Sequence, residues 1–177
     1  MILGQANKRR RQTASQIYDV IVTQSRTPEL YLYAGVPDTL DGRFDCIILH
    51  ASMVIHFLAD ATESGQSMAQ ELFDTMFRDF THNLRHIGIG DLSVARHFRR
   101  MSEGFNGRLR AYADAFQAKD EKQLSEALAR NVFRTTEMSP HVKKLSDYVW
   151  LQFEHLSEID IQKMKHGEFT FAAPSLE

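Results

Sequence analysis

The sequence predicts an all-α fold: a single-domain helical bundle of six or seven helices. Three observations predict it. Apolar residues recur at intervals of three and four along most of the chain. Glycine, proline and cap residues divide these runs into helix-sized pieces. Only residues 168–171 alternate as a strand does, and four residues cannot make a sheet.

The elements follow in order. Residues 1–12 carry Lys8, Arg9, Arg10 and Arg11 and are expected to form a basic, flexible arm. The helical domain is expected over 13–166 and a C-terminal tail over 167–177. Ile17, Val20, Ile21 and Gln24 mark a first short helix. Thr27-Pro28 is a cap with proline at the first helical position, opening Leu30-Tyr31-Leu32-Tyr33. Gly35-Val36-Pro37 breaks the chain. The next helix starts near residues 38–41. It is apolar on both sides, with Phe44, Ile47, Ile48, Ala51, Ile55 and Leu58 on one and Leu49, Met53 and Phe57 on the other. Such a helix is central and buried. Gly65 ends that region, and Ser67-x-x-Gln70 has the form of a capping box for the following helix. Its stripe is Met68, Leu72, Phe73, Met76, Phe77, Phe80, Leu84 and Ile87, and Gly88-x-Gly90 terminates it. Asp91 or Ser93 caps a helix striped by Val94, Phe98, Met101, Phe105, Leu109, Tyr112 and Phe116. Asp120-x-x-Gln123 opens another, and Ser139-Pro140 opens the last long one.

Composition excludes several classes. One domain commonly takes ~100–200 residues, and this chain has 177. Cys46 is the lone cysteine, so no internal disulfide can form. A net charge of −2, from 21 basic and 23 acidic residues, excludes a globally polybasic nucleic-acid binder but not a local patch. With 43% hydrophobic and 25% charged residues the chain is not disordered throughout. Residues 46–59 lack Asp, Glu, Lys and Arg, but a membrane span needs ~20 mostly apolar residues, so this stretch reads as a buried helix. The basic residues near the N-terminus precede no long apolar run, so no secretory signal is read. The expected location is cytoplasmic, where the basic arm would add weak attraction to an anionic membrane surface.

Candidate chemistry is sparse. His82-x-x-x-His86 has ligand spacing, with Asp79 one turn before, but all three are expected on the solvent face. His50 and His56 lie on the buried helix and read as hydrogen-bonded core histidines; a haem or metal role is the alternative. Cys46 reads as a buried structural thiol. No nucleophile elbow, phosphate loop or dinucleotide loop occurs, so no catalytic residue, metal, cofactor or small-molecule substrate is assigned. Arg96, Arg99, Arg100, Arg108 and Arg110 crowd one helix against Glu103 alone. That stretch is either a solvated face with intrachain ion pairs or an adaptor surface for RNA or anionic membrane. Gly104 and Gly107 interrupt the same helix at ~1 kcal/mol each against alanine. Close internal packing or a groove for a partner helix would account for them. The chain has 7 Met and 12 Phe, which fill core stripes or supply an adaptable apolar surface.

At these residues the sequence resembles the ubiquinol–cytochrome c chaperone family. The matching words are Gly35-Val36-Pro37-Asp38-Thr39 with Arg43-Phe44, and Leu72-Phe73-Asp74 with Phe77. Leu84-Arg85-x-x-Gly88-x-Gly90-Asp91-Leu92 with Val94 follows, then Met101-x-x-x-Phe105-x-Gly107-Arg108-Leu109-x-Ala111-Tyr112. They keep the family's order and cover roughly residues 30 to 118. The resemblance implies a helical, non-enzymatic factor that binds newly made cytochrome b during assembly of respiratory complex III. It also implies a small partner protein and the ribosome or inner-membrane surface as further partners. Mitochondrial members carry a long N-terminal extension with a transit peptide, and this sequence looks like a bacterial-type member. The family supplies no catalytic residue. The candidate partner face is Arg43, Arg85, Asp91, Arg99, Arg100, Phe105, Gly107, Arg108 and Tyr112. The 35–43 turn, the 85–91 corner and the 105–112 segment are expected close together, with Arg43, Arg85, Asp91 and Arg108 in an internal ion-pair network.

Overall fold

The structure is a computed structural model. It describes residues 2–86 and 91–176, without the side chains of 2–4, 60, 61, 84, 91–98 and 100–102. The described residues form eight helices and no strand. They are α1 (Ile2–Ser25), α2 (Pro28–Leu32), α3 (Leu40–Ala61), α4 (Glu63–His86), α5 (Asp91–Ala118), α6 (Glu121–Asn131), α7 (Pro140–Ser157) and α8 (Ile161–Lys165). The all-α reading holds. The count exceeds six or seven because α8, a single short helix capped by Asp160 on the Gln162 amide, lacks the length for a periodic stripe.

Helix α3 is the axis of the molecule. It packs against α1, α4, α5, α7 and α8, while α6 bridges α5 and α7. Its apolar residues on all sides explain this: Cys46, Ile48, Leu49, Ala51, Met53, Val54 and Leu58 are buried without exception. Residues 40–59 are long and apolar enough to cross a membrane, yet 67% of the stretch is buried within the fold. That is the signature of a core helix.

Local chemistry sets the ends. Thr39 caps α3 by accepting from the Gly42 amide at 3.1 Å. Asp120 caps α6 on the Gln123 amide, and Ser139 caps α7 with Pro140 at its first turn. Helix α4 begins at Glu63, four residues ahead of the Ser67 box. Thr62 supplies the cap instead, its hydroxyl accepting from the Gly65 amide at 3.1 Å. Gly65 therefore lies in the first turn of α4 rather than ending the region. A Cβ there would strike the Leu58 carbonyl oxygen, so the α3–α4 corner needs glycine.

The two ends of the chain also differ from expectation. Residues 8–11 are continuous with α1, where Arg10 and Arg11 lie 3.6 Å from Glu71 of α4. Arginine, lysine and glutamine favour helix, which extends α1 past the apolar stripe. Beyond α8, Phe169, Phe171 and Leu176 are buried. Gln152 holds this segment by accepting from the Ala172 amide at 2.8 Å and donating to its carbonyl at 3.0 Å.

Candidate functional site

The expected face is assembled from three helices, but much of it lies inside the molecule. At the start of α3, Asp45 is only 1% exposed. Arg108 of α5 places Nη2 at 3.1 Å from its Oδ1, and Arg134 donates to its Oδ2 at 2.7 Å. Burial pushes the Asp45 carboxyl up to about 6, against the pull of the two guanidinium groups. It is ionised at neutral pH and ties α3, α5 and the α6–α7 connection together. Arg134 takes part from a left-handed conformation, φ +56°, uncommon for a residue with a side chain. Buried Tyr112 stands beside this cluster, its hydroxyl toward Asn131.

An aromatic ladder joins the same helices. Phe44 of α3 meets Phe80 of α4 at 4.6 Å between ring centroids. Phe80 meets Phe77 at 5.9 Å, and Phe105 of α5 meets Phe77 at 5.6 Å and Phe73 at 5.1 Å. Through these contacts the start of α3, the middle of α4 and the 105–112 segment converge. Phe105 and Tyr112 are fully buried core residues. Arg108 pairs with Asp45, and Arg43 pairs with Asp38 at 2.6 Å on the surface. That exposed pair depresses the Asp38 carboxyl through the hydrogen bond from Arg43. Arg85, Arg99 and Gly107 are exposed, with Arg99 3.6 Å from Glu103. Gly88, Gly90 and the side chains of Asp91 and Arg100 lie outside the described residues.

Close packing does not account for the α5 glycines. A Cβ on Gly107 would meet nothing within 4 Å, and one on Gly104 would meet only the Arg108 guanidinium. Both positions leave α5 smooth on its outer side.

Large apolar side chains are exposed at one turn. Leu32 is 72% and Leu40 71% exposed, on either side of the 33–39 connection, with Tyr33 beside them. Gly35 turns the chain with φ +68°, and the His141 ring of α7 packs where its Cβ would stand. Exposed Met138 lies just ahead of that helix.

The histidines have structural partners. The fully buried His50 donates from Nδ1 to the Cys46 carbonyl at 2.7 Å, because a carbonyl can only accept. Its Nε2 then accepts from the Tyr148 hydroxyl at 2.8 Å, and Gln24 donates to that hydroxyl at 2.8 Å. Burial lowers His50 to about 4, so it is neutral, and pushes the Cys46 thiol up to about 12. His82 and His86 are exposed and bond to each other at 2.8 Å. Asp79 instead accepts from Tyr18 of α1 at 2.9 Å and from Asn83 at 3.1 Å. Among the described residues no three His, Cys, Asp or Glu side chains converge as a metal site would require.

Sequence reasoning missed Asp45 and its partner Arg134. The available signal was one carboxylate inside a buried helix, which demands a cationic partner. Nothing local could say that the partners lie 63 and 89 residues away.

Known proteins are similar to this chain. The chain is 24% identical over 148 residues to human ubiquinol-cytochrome c reductase complex assembly factor 1, covering 83% of this chain and 49% of the relative. The Xenopus laevis protein of that name is also 24% identical, with 74% of its length covered. The chain thus spans about half the length of the human relative. The crystal structure of the Cbp3 homolog from Brucella abortus superimposes with a TM-score of 0.86 at 31% identity, covering 100% of both chains. Residues 32–171 match the family described as ubiquinol-cytochrome C chaperone. That match takes in α3 to α8, the Asp45 cluster and the aromatic ladder, and with it this chain belongs to the ubiquinol-cytochrome C chaperone family.

Proposed function

We propose that the protein is a non-enzymatic assembly chaperone of ubiquinol–cytochrome c reductase, and that its client is newly made cytochrome b. The observation that carries this reading is the full-length match to the Cbp3 homolog, together with relatives named as assembly factors of that complex. The physical case supports it. Cytochrome b is a polytopic membrane protein whose apolar helices aggregate in water. A protein that holds it needs exposed apolar surface with a polar rim. Leu32, Tyr33 and Leu40 supply such a surface, and Asp38 and Arg43 rim it. Among the described side chains of the expected face, Arg43, Arg85, Arg99 and Gly107 are exposed to a partner. Phe105, Arg108 and Tyr112 support them from beneath. A small partner protein and the ribosome or membrane surface complete the proposed set of contacts. Work at that surface agrees with a cytoplasmic protein held peripherally on the inner membrane.

The test is capture of the tagged full-length protein from membrane-containing lysate, with cytochrome b quantified against other membrane proteins. Enrichment is expected, and Leu32→Glu with Leu40→Glu should abolish it while the circular dichroism of the helices is unchanged. A deletion strain should lose complex III selectively, read from the cytochrome b and c1 absorption of its membranes. No enrichment, together with normal complex III in the deletion strain, would overturn the reading.

A further inference from the structure

We infer that a second surface, distinct from the apolar turn, binds the phosphate of an anionic phospholipid and so docks the protein on a membrane. This inference rests on the membrane contact proposed above and gives it a site and a ligand; it does not depend on cytochrome b being the client.

The surface is an open groove of about 440 Å³ between α1 and the outer side of α4. Its size falls within the range of small-ligand sites, ~300–1,000 Å³. Phe73 and Phe77 form the floor, and Arg11, Arg78 and Arg85 stand on its walls. Glu71 is the central carboxylate, and three guanidinium groups share it. Arg78 lies at 3.0 Å, and Arg10 and Arg11 at 3.6 Å. One carboxylate cannot neutralise three cations. Even with the neighbouring Asp74, the three arginines around Glu71 outnumber the acids among the described residues of the groove, on a protein whose overall charge is −2. Arg78 is also held by the Thr75 hydroxyl at 2.8 Å and the Asp74 carbonyl at 3.2 Å. Its fork is therefore fixed before any ligand arrives, which lowers the cost of binding an oxyanion.

The floor argues for a lipid. Phe73 and Phe77 pack on each other at 4.4 Å and edge-on against Phe105, so they lie flush with the base of the groove. Half-buried Phe73, backed by the buried Phe77, offers hydrocarbon to the glycerol and first methylenes of an acyl chain, rather than a projecting ring face on which a nucleotide base would stack. The charge also continues beyond the groove. Lys8 and Arg9 are exposed on α1 beside Arg10 and Arg11. An extended basic surface suits an anionic bilayer, where each basic side chain adds to the attraction.

The test is flotation of the full chain with phosphatidylcholine vesicles and with vesicles that also contain phosphatidylglycerol. Binding is expected only with phosphatidylglycerol and should weaken as salt rises. Arg11→Gln with Arg85→Gln should weaken it by about 30-fold, the loss expected for two basic groups at an anionic surface. Lys122→Gln with Arg130→Gln removes the same charge elsewhere, from exposed positions on α6, and should change binding less than threefold. As a second readout, a Thr81→Cys variant labelled with an environment-sensitive fluorophore should shift blue on phosphatidylglycerol vesicles. A label at Glu137→Cys should not. That arm tests the groove even if the double arginine variant fails to fold. Equal losses from both arginine pairs, or an unshifted Thr81 label, would overturn the site. Displacement from vesicles by RNA or by inorganic phosphate at matched ionic strength would assign the groove to those anions and overturn the lipid.

Discussion

Two buried side chains titrate in opposite senses, and their signs can be worked out. His50 is held near 4, below the ordinary 6.5, because burial disfavours its cation. As pH falls through 6.5 the unfolded chain takes up a proton that the fold refuses, so stability falls toward pH 4. Asp45 is raised to about 6 from an ordinary 3.8 because burial disfavours its anion. Its unfolded form ionises first as pH rises, so the stability it contributes is present below 3.8 and lost by pH 6. Each term is worth about 3 kcal/mol at its full span, and in the parent they oppose each other between pH 4 and 6. His50→Gln should therefore gain stability relative to the parent as pH is lowered from 6.5 to 4. Asp45→Asn should lose it over the same range. Urea unfolding midpoints across that window check this, and slopes of the same sign would refute it. His50 was legible as a hydrogen-bonded core histidine from its place on an apolar helix. Asp45 was not, because its partners are set by tertiary packing alone.

Helix boundaries were legible where a side chain caps its own amide. Asp120 with Gln123 and Ser139 with Pro140 mark real starts of helices. Ser67-x-x-Gln70 has the same pattern inside α4, because Thr62 had already provided a cap and nothing in the intervening residues stops the helix. Glycines divide in the same way. Gly65 sits against the Leu58 carbonyl, whereas Gly107 faces open space. Gly65→Ala should cost about 2 kcal/mol by forcing α3 and α4 apart. Gly107→Ala should stabilise by about 1 kcal/mol, since α5 gains helix propensity and meets no obstacle. Thermal unfolding of both variants tests the pair. If Gly107→Ala stabilises the protein yet lowers complex III in cells, the smooth side of α5 is a contact surface.

Across the whole molecule, the all-α fold and the central place of α3 followed from periodicity, since residues apolar on every side leave a helix nowhere but the interior. The arm and tail did not. An isolated segment of arginines gives no sign that Glu71 will hold it, and Phe169 and Phe171 lie in a stretch too short to show a period. Yet the C-terminal segment closes the core. Phe171 meets His50 edge-on at 5.1 Å, and Gln24 and Gln152 both donate to the Ala172 carbonyl. Phe171→Ala should cost about 3 kcal/mol by opening a cavity at that end. It should also admit water to His50 and move its titration upward toward 6.5, as followed by the imidazole proton resonances.

The central helix has a history that the finished fold conceals. Residue 61 leaves the ribosome long before Phe169 and Phe171, which complete its cover. At synthesis rates of 5–20 residues per second that interval is on the order of ten seconds. For that time the nascent chain carries a 20-residue segment with the length and hydropathy of a membrane span and without its final shelter. Membrane-targeting factors read such segments as they emerge. Helix α1 precedes this segment and α4 and α5 follow it, so its cover is built from both directions before the C-terminal segment closes it.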